Sequence, residues 1–172
     1  MEAILMAAQS WDGLPEDMRQ FLQTLRTPDK GWELAVHQNI FIEQILPNEV
    51  MRGLNEEEMR QYRAPFVDPT RRKPLWRWPT EVPIAGEPAD VAAVVGAYNH
   101  WLQQTELPKL LLTANPGRIV RAEMIEWCQS HLQHLTVVAT GPALHFLQED
   151  NPEQVGQAIA RWYRSLKQIS KP

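Results

Sequence analysis

Apolar positions recur along the chain at two different periods, with an interruption between them. Met18, Phe21, Leu22 and Leu25 share one face of a predicted helix that follows the Ser10-Trp11-Asp12-Gly13-Leu14-Pro15 turn, has Glu16 and Asp17 in its first turn, and runs to about Arg26. A second helical stretch begins near Pro28-Asp29, and Trp32, Leu34, Ala35, Ile40, Phe41, Ile45 and Leu46 carry its apolar pattern to Pro47. From Pro47 to Pro88 the texture changes, because seven of the 14 prolines fall there: Pro47, Pro65, Pro69, Pro74, Pro79, Pro83 and Pro88. Such a density forbids long helices and central strands. The region is therefore predicted to hold turns and short helices, Asn55 to Tyr62 the clearest, laid over another surface as a cap or lid.

Regular order returns after Pro88. Asp90 to Gln104 reads as an amphipathic helix with Val91, Val94, Val95, Tyr98, Trp101 and Leu102 at helical spacing. The continuous apolar runs Lys109 to Ala114 and Leu135 to Thr140 have the length and composition of buried strands, and Arg121 to His131 is a helix between them. The first run ends at the Asn115-Pro116-Gly117 turn and the second at the Gly141-Pro142 break. A last helix opens at Asn151 with Pro152 at its first position and Gln154 placed for a capping box, and Val155, Ile159, Trp162, Tyr163 and Leu166 form its apolar face. This order is the grammar of an α/β fold with a mostly parallel sheet covered by helices. Two strands cannot complete such a sheet, so the chain is expected to be the C-terminal part of a larger α/β protein.

Composition narrows the partners. The 44% apolar content fits a globular protein, and a net charge of −4 with no basic cluster beyond Arg71-Arg72-Lys73 argues against nucleic acid. No apolar run approaches the roughly 18 residues of a membrane span. Nor does Met1 to Ala8 have the basic start of a signal peptide, since Glu2 stands there. With Cys128 as the only cysteine no internal disulfide can form, which points to the cytoplasm; its neighbours Met124 and Trp127 place it in packing.

One histidine stands out by position. His145 lies just beyond the carboxyl end of the second strand, the edge of an open α/β sheet where ligands bind. An imidazole there can serve as general base, since the ordinary histidine pKa of about 6.5 leaves it neutral at working pH. By position alone, a half-buried loop histidine bonding its neighbours fits equally well. The aromatic patch Leu75-Trp76-Arg77-Trp78-Pro79 reads first as packing, and Arg71-Arg72-Lys73 as a solvated turn.

A set of stretches in order along almost the whole chain resembles the haloalkane dehalogenases of the α/β-hydrolase superfamily, over their C-terminal half with its cap. These are Met1-Glu2, Ser10-Trp11-Asp12, Gln38-Asn39-Ile40-Phe41-Ile42-Glu43 with Leu46-Pro47, Glu58-Met59 through Tyr62-Arg63 to Pro65-Phe66, Trp78-Pro79, Pro83 to Asp90, Pro108-Lys109-Leu110, and Leu144 to Asp150. Coelenterazine luciferases of the sea-pansy type share the scaffold and are the alternative; a non-catalytic structural fragment is the third reading. The resemblance implies three parts: residues 1–10 as the end of the acid-bearing core strand and its loop, 11–87 as a helical cap, and 88–172 as the C-terminal part of the core.

It also implies a mechanism. An aspartate displaces halide from a haloalkane to give an alkyl ester, and a histidine held by a carboxylate then activates water against that ester. By match His145 is the base and Glu2 its orienting acid. In another branch of the family the acid follows the next strand, at the place held here by the neutral Asn115. Phe41, Ile45, Val82, Ile119 and Phe146 would line an apolar substrate pocket, with Trp78 and Pro79 near the halide and Glu49 and Arg118 toward the tunnel mouth. No cofactor, metal, membrane or nucleic acid is implied; the partners are a small haloalkane, water and halide. None of the aspartates, Asp12, Asp17, Asp29, Asp68, Asp90 and Asp150, sits in a nucleophile turn between strand and helix. An N-terminal half of the same fold, in cis or in trans, is therefore expected to supply the nucleophile and the halide donors.

Overall fold

Lys109–Pro116 (β1) and Leu135–Ala143 (β2) pair in parallel, in register from Lys109 against Leu135 to Thr113 against Ala139. Beyond that point the register shifts, with Asn115 opposite Pro142, so β2 carries one extra residue. The second strand was expected to stop at Thr140. Instead it runs on through Gly141, whose φ of 112° is open to glycine, because the Thr140 hydroxyl donates to the Thr113 carbonyl (3.0 Å) where the ladder is interrupted. Gly117 N–H donates to the Ala143 carbonyl at 3.1 Å, which carries the contact between the two strands past the end of β1.

The computed structural model describes residues 2–169 and divides into two units. The unit with the sheet combines Met1–Ile4, Glu49–Arg52 and Asn99–Pro172. Its helices are Ala122–His131 (α7), Leu147–Asp150 (α8) and Pro152–Ile169 (α9), numbered after those of the other unit. Cys128 on α7 is fully buried, and burial pushes its thiol pKa up, as suits a packing residue. On α9, Ala158 is buried, but Ile159 and Tyr163, expected on the core face, are 46% and 54% exposed. Two strands spaced about 4.8 Å apart offer a platform narrower than the apolar stripe of a long helix.

The other unit, Leu5–Asn48 with Gly53–Tyr98, is helical. Glu16–Arg26 (α1) buries Leu22 and Leu25 on the expected face, and Pro28–Trp32 (α2) follows it closely. A Cβ at Gly31 would lie 2.0 Å from the Leu25 carbonyl, so only glycine permits that approach. The single helical stretch expected from Pro28 to Pro47 is broken. It continues as π-helical Glu33–His37, turns at Asn39 with φ of 54°, resumes as π-helical Phe41–Ile45 and ends in one α-turn, Leu46–Asn48 (α3). Phe21 meets Phe41 edge-on at 6.1 Å, and Trp32 meets Trp76 at 5.3 Å.

The proline-rich stretch holds short helices, as expected: Glu56–Arg63 (α4) and Lys73–Thr80 (α5), before the longer Ala89–Gln104 (α6). Asn55 and Glu58 close a reciprocal capping box on α4. Arg72 departs from the solvated turn expected of it. Its guanidinium donates to the carbonyls of Phe66 (2.6 Å), Val36 (2.9 Å), Val67 (3.0 Å) and His37 (3.3 Å), because these main-chain acceptors are left over where a 3-10 helical turn and a π-helical turn end. Ala8 forms an isolated parallel bridge with Ile84, its N–H donating to the Pro83 carbonyl at 3.1 Å. Among the described residues no helix is long and apolar enough to cross a membrane.

Candidate active site

The turn after β1 builds an anion cradle. Gly117, with φ of 65°, reverses the chain so that the next three backbone N–H groups point the same way. All three donate to the Glu2 carboxylate: Arg118 to Oε1 at 2.9 Å and Oε2 at 3.1 Å, Ile119 to Oε2 at 2.9 Å, and Val120 to Oε1 at 2.9 Å. A Cβ at Gly117 would stand 3.0 Å from Oε1, so the glycine also makes room for the carboxylate.

The loop after β2 brings up His145. His145 Nδ1–H donates to Glu2 Oε2 at 3.0 Å, and Glu2 N–H donates back to the His145 carbonyl at 3.2 Å, so acid and base are tied by side chain and main chain alike. The Glu2 side chain is 4% exposed and the imidazole 19%. Burial alone would raise the Glu2 pKa; the hydrogen bond from His145 and those from the Arg118, Val120 and Ile119 amides outweigh it and hold the carboxyl below its ordinary range. Glu2 is thus an anion in place. With Nδ1–H given to Glu2, the imidazole presents its basic Nε2, which among the described residues has no hydrogen-bond partner. His145 also meets the Phe146 ring edge-on, 4.9 Å between centroids.

The loop is braced from behind. Asp150 Oδ2 accepts from Leu144 N–H at 3.2 Å and Oδ1 from Arg52 N–H at 2.9 Å, while Arg52 reaches the Glu149 carbonyl at 2.6 Å and its carboxylate at 3.1 Å. Asn151 Nδ2 donates to the Pro142 carbonyl at 2.8 Å. A cleft of about 650 Å³ lies beside the same strand ends, lined by Thr113, Asn115, Gly117, Val120, Arg121 and Pro142 among others; neither His145 nor Glu2 lines it. Among the described residues no cluster of three or more His, Cys, Asp or Glu could hold a metal ion.

A histidine oriented by a buried carboxylate at the carboxyl edge of a parallel sheet has the geometry that general-base chemistry needs, and relatives carry the same fold. The chain is 39% identical over 168 residues to a haloalkane dehalogenase of Sphingobium indicum, covering 97% of the chain and 55% of that protein. It is 42% identical over 158 residues to a haloalkane dehalogenase of Mycolicibacterium smegmatis, covering 91% and 50%. The crystal structure of the haloalkane dehalogenase DbeA from Bradyrhizobium elkani superposes with a TM-score of 0.92 at 35% identity, over 96% of this chain and 57% of that one. The chain is a homologue of the haloalkane dehalogenases. It spans about half the length of the curated relatives it matches, and its fold is that of an α/β-hydrolase over the shared part. No protein-family model matches it.

The remaining residues that the dehalogenase resemblance marks fall in both units. In the helical unit Phe41, Ile45 and Val82 are half-buried, Pro79 is buried, and Trp78 is 70% exposed. In the sheet unit Ile119 and Phe146 are half-buried; Ile119 itself donates its N–H to Glu2, and Phe146 directly follows His145. Asn115, where the other dehalogenase branch keeps its acid, is exposed. Reasoning from sequence missed the amides of residues 118–120 and the bracing by Arg52, Asp150 and Asn151. Only Gly117, directly beyond the end of β1, signalled a backbone anion site.

Proposed function

We propose that the chain supplies the general base, its orienting acid and the cap of a haloalkane dehalogenase-type hydrolase, which converts a haloalkane and water to an alcohol and halide. The observation that carries this reading is the 3.0 Å contact between His145 Nδ1 and a Glu2 carboxylate held by three consecutive amides. An aspartate attacks the carbon, the carbon–halogen bond breaks, and halide leaves with its electron pair. Water then attacks the ester carbonyl while giving a proton to His145 Nε2, the imidazolium is balanced by Glu2, and the alcohol leaves with that proton as the carboxylate is restored.

None of the six aspartates lies in a strand-to-helix nucleophile turn, so we assign the nucleophile and the halide donors to an N-terminal half acting in cis or in trans. The chain alone then has no turnover. Residues 11–87 act as the cap, residues 1–10 bring the acid, and residues 88–172 complete the core. The side chains of Phe41, Ile45, Val82, Ile119 and Phe146 contact the alkyl chain, with Trp78 and Pro79 toward the halide, an assignment supported by their apolar character and by the family match. We place the enzyme in the cytoplasm, a reading supported by the lone buried cysteine.

The test is a chimera. The chain replaces the matched portion of DbeA, and halide release from a bromoalkane is followed. Steady turnover that His145→Phe abolishes supports the reading; a folded chimera that releases no halide overturns it.

A further inference from the structure

Two charged residues of the sheet unit close a ring around the dyad. Arg118, whose N–H binds the Glu2 carboxylate, places its guanidinium Nε 3.2 Å from Glu49 Oε1. Glu49 in turn accepts the Phe146 N–H on its carbonyl at 3.3 Å, one residue past His145. The circuit therefore runs from Glu2 to His145, along the chain to Phe146, across to Glu49, across to Arg118, and back to Glu2. Glu49 Oε2 is buried and has no hydrogen-bond partner among the described residues, the side chain is 19% exposed, and the Arg118 guanidinium stands against its other oxygen as a counter-charge.

We propose that Glu49 and Arg118 form a positioning pair for the His145–Glu2 dyad, clamping the amide-bearing loop to the histidine-bearing loop. This rests on the dyad being the working base, as argued above. Neither residue touches the reacting atoms. Their effect passes through the Arg118–Val120 amides, whose aim at Glu2 is set by where the Arg118 side chain is anchored, and through Phe146, whose N–H is anchored on Glu49. A dyad depends on sub-ångström placement of its members, and a loop held by an ion pair keeps that placement better than one held by its peptide bonds alone.

The pair is tested on the 172-residue chain by proton NMR of the His145 Nδ1–H, which a short bond to a carboxylate shifts downfield and protects from exchange with water. In the parent the resonance is expected to be sharp. Arg118→Met is expected to speed its exchange at least about tenfold and Glu49→Gln by a smaller factor, while Arg118→Lys, which keeps the charge, restores much of the protection and α9 amides stay unchanged. Glu49→Gln keeps the shape of the side chain, so it reports even where Arg118→Met fails to fold. Exchange at the parent rate in both variants overturns the positioning role and leaves the dyad standing. A resonance indifferent to Glu2→Gln overturns the dyad itself, and the pair with it.

Discussion

Glu2 and His145 lie 143 positions apart in the chain and 3.0 Å apart in space, with a second, main-chain bond of 3.2 Å between the same two residues. Their relationship is therefore fixed in both distance and orientation. Replacing Glu2 by Gln keeps the shape but turns an amide NH₂ toward donors that expect an acceptor. We expect a loss of stability of about 1–3 kcal/mol from the unmatched amides. In the chimera the halide burst is retained while steady turnover falls by roughly four orders of magnitude, because the imidazole tautomer and the imidazolium both lose their support. Pre-steady-state halide release separates the two steps, and near-parental turnover would show that the acid lies elsewhere.

His145→Phe isolates the base. Displacement of halide does not need it, so the chimeric variant is expected to release one equivalent and stop as a covalent adduct. Intact-protein mass spectrometry after exposure to a bromoalkane reads the added alkyl mass; an unmodified protein would remove His145 from the second step.

Gly117 carries two demands at once, a φ of 65° and room for Glu2 Oε1 at 3.0 Å from any added Cβ. Gly117→Ala is expected to cost roughly 1–3 kcal/mol through backbone strain and a displaced carboxylate. The urea midpoint measures it. A parental midpoint with the dyad intact would mean that the turn adapts freely.

The Glu2 pKa is lowered in the folded chain relative to its ordinary 4.5. The unfolded state therefore binds the proton more readily, and the stabilisation from this group is full above the ordinary carboxyl range and is lost as pH falls through the folded value. The stability difference between the parent and Glu2→Gln is expected to be largest near neutral pH and to shrink below about pH 4. Urea unfolding of both proteins across that range checks the sign; a gap that widens in acid would contradict it.

What the sequence made legible was whatever repeats at a fixed period or is closed by a local cap. The face of α1, the short helix after Asn55, both strands and the start of α9 followed from spacing and turn chemistry. His145 was visible because it follows a strand. Glu2 was not visible from spacing at all, since a single carboxylate before an apolar stretch has no local signature; the family resemblance brought it forward, and the contact is made across the chain. The grip of Arg72 on four carbonyls was hidden for the same reason, since it depends on the main-chain groups that other segments present. The exposure of Ile159 and Tyr163 was hidden differently, because periodicity names the apolar face of a helix but not the width of the platform it meets.

The cradle around Glu2 is made of main-chain N–H groups, which every residue except proline carries. The side chain at 119 can thus be exchanged for larger, smaller or branched ones without withdrawing the N–H that Ile119 gives to Glu2 Oε2. A position beside the chemistry is in this way released from maintaining it. If Ile119 lines the substrate pocket as proposed, saturation mutagenesis there is expected to change substrate preference without loss of the Glu2 contact, with Ile119→Pro as the substitution that withdraws the N–H.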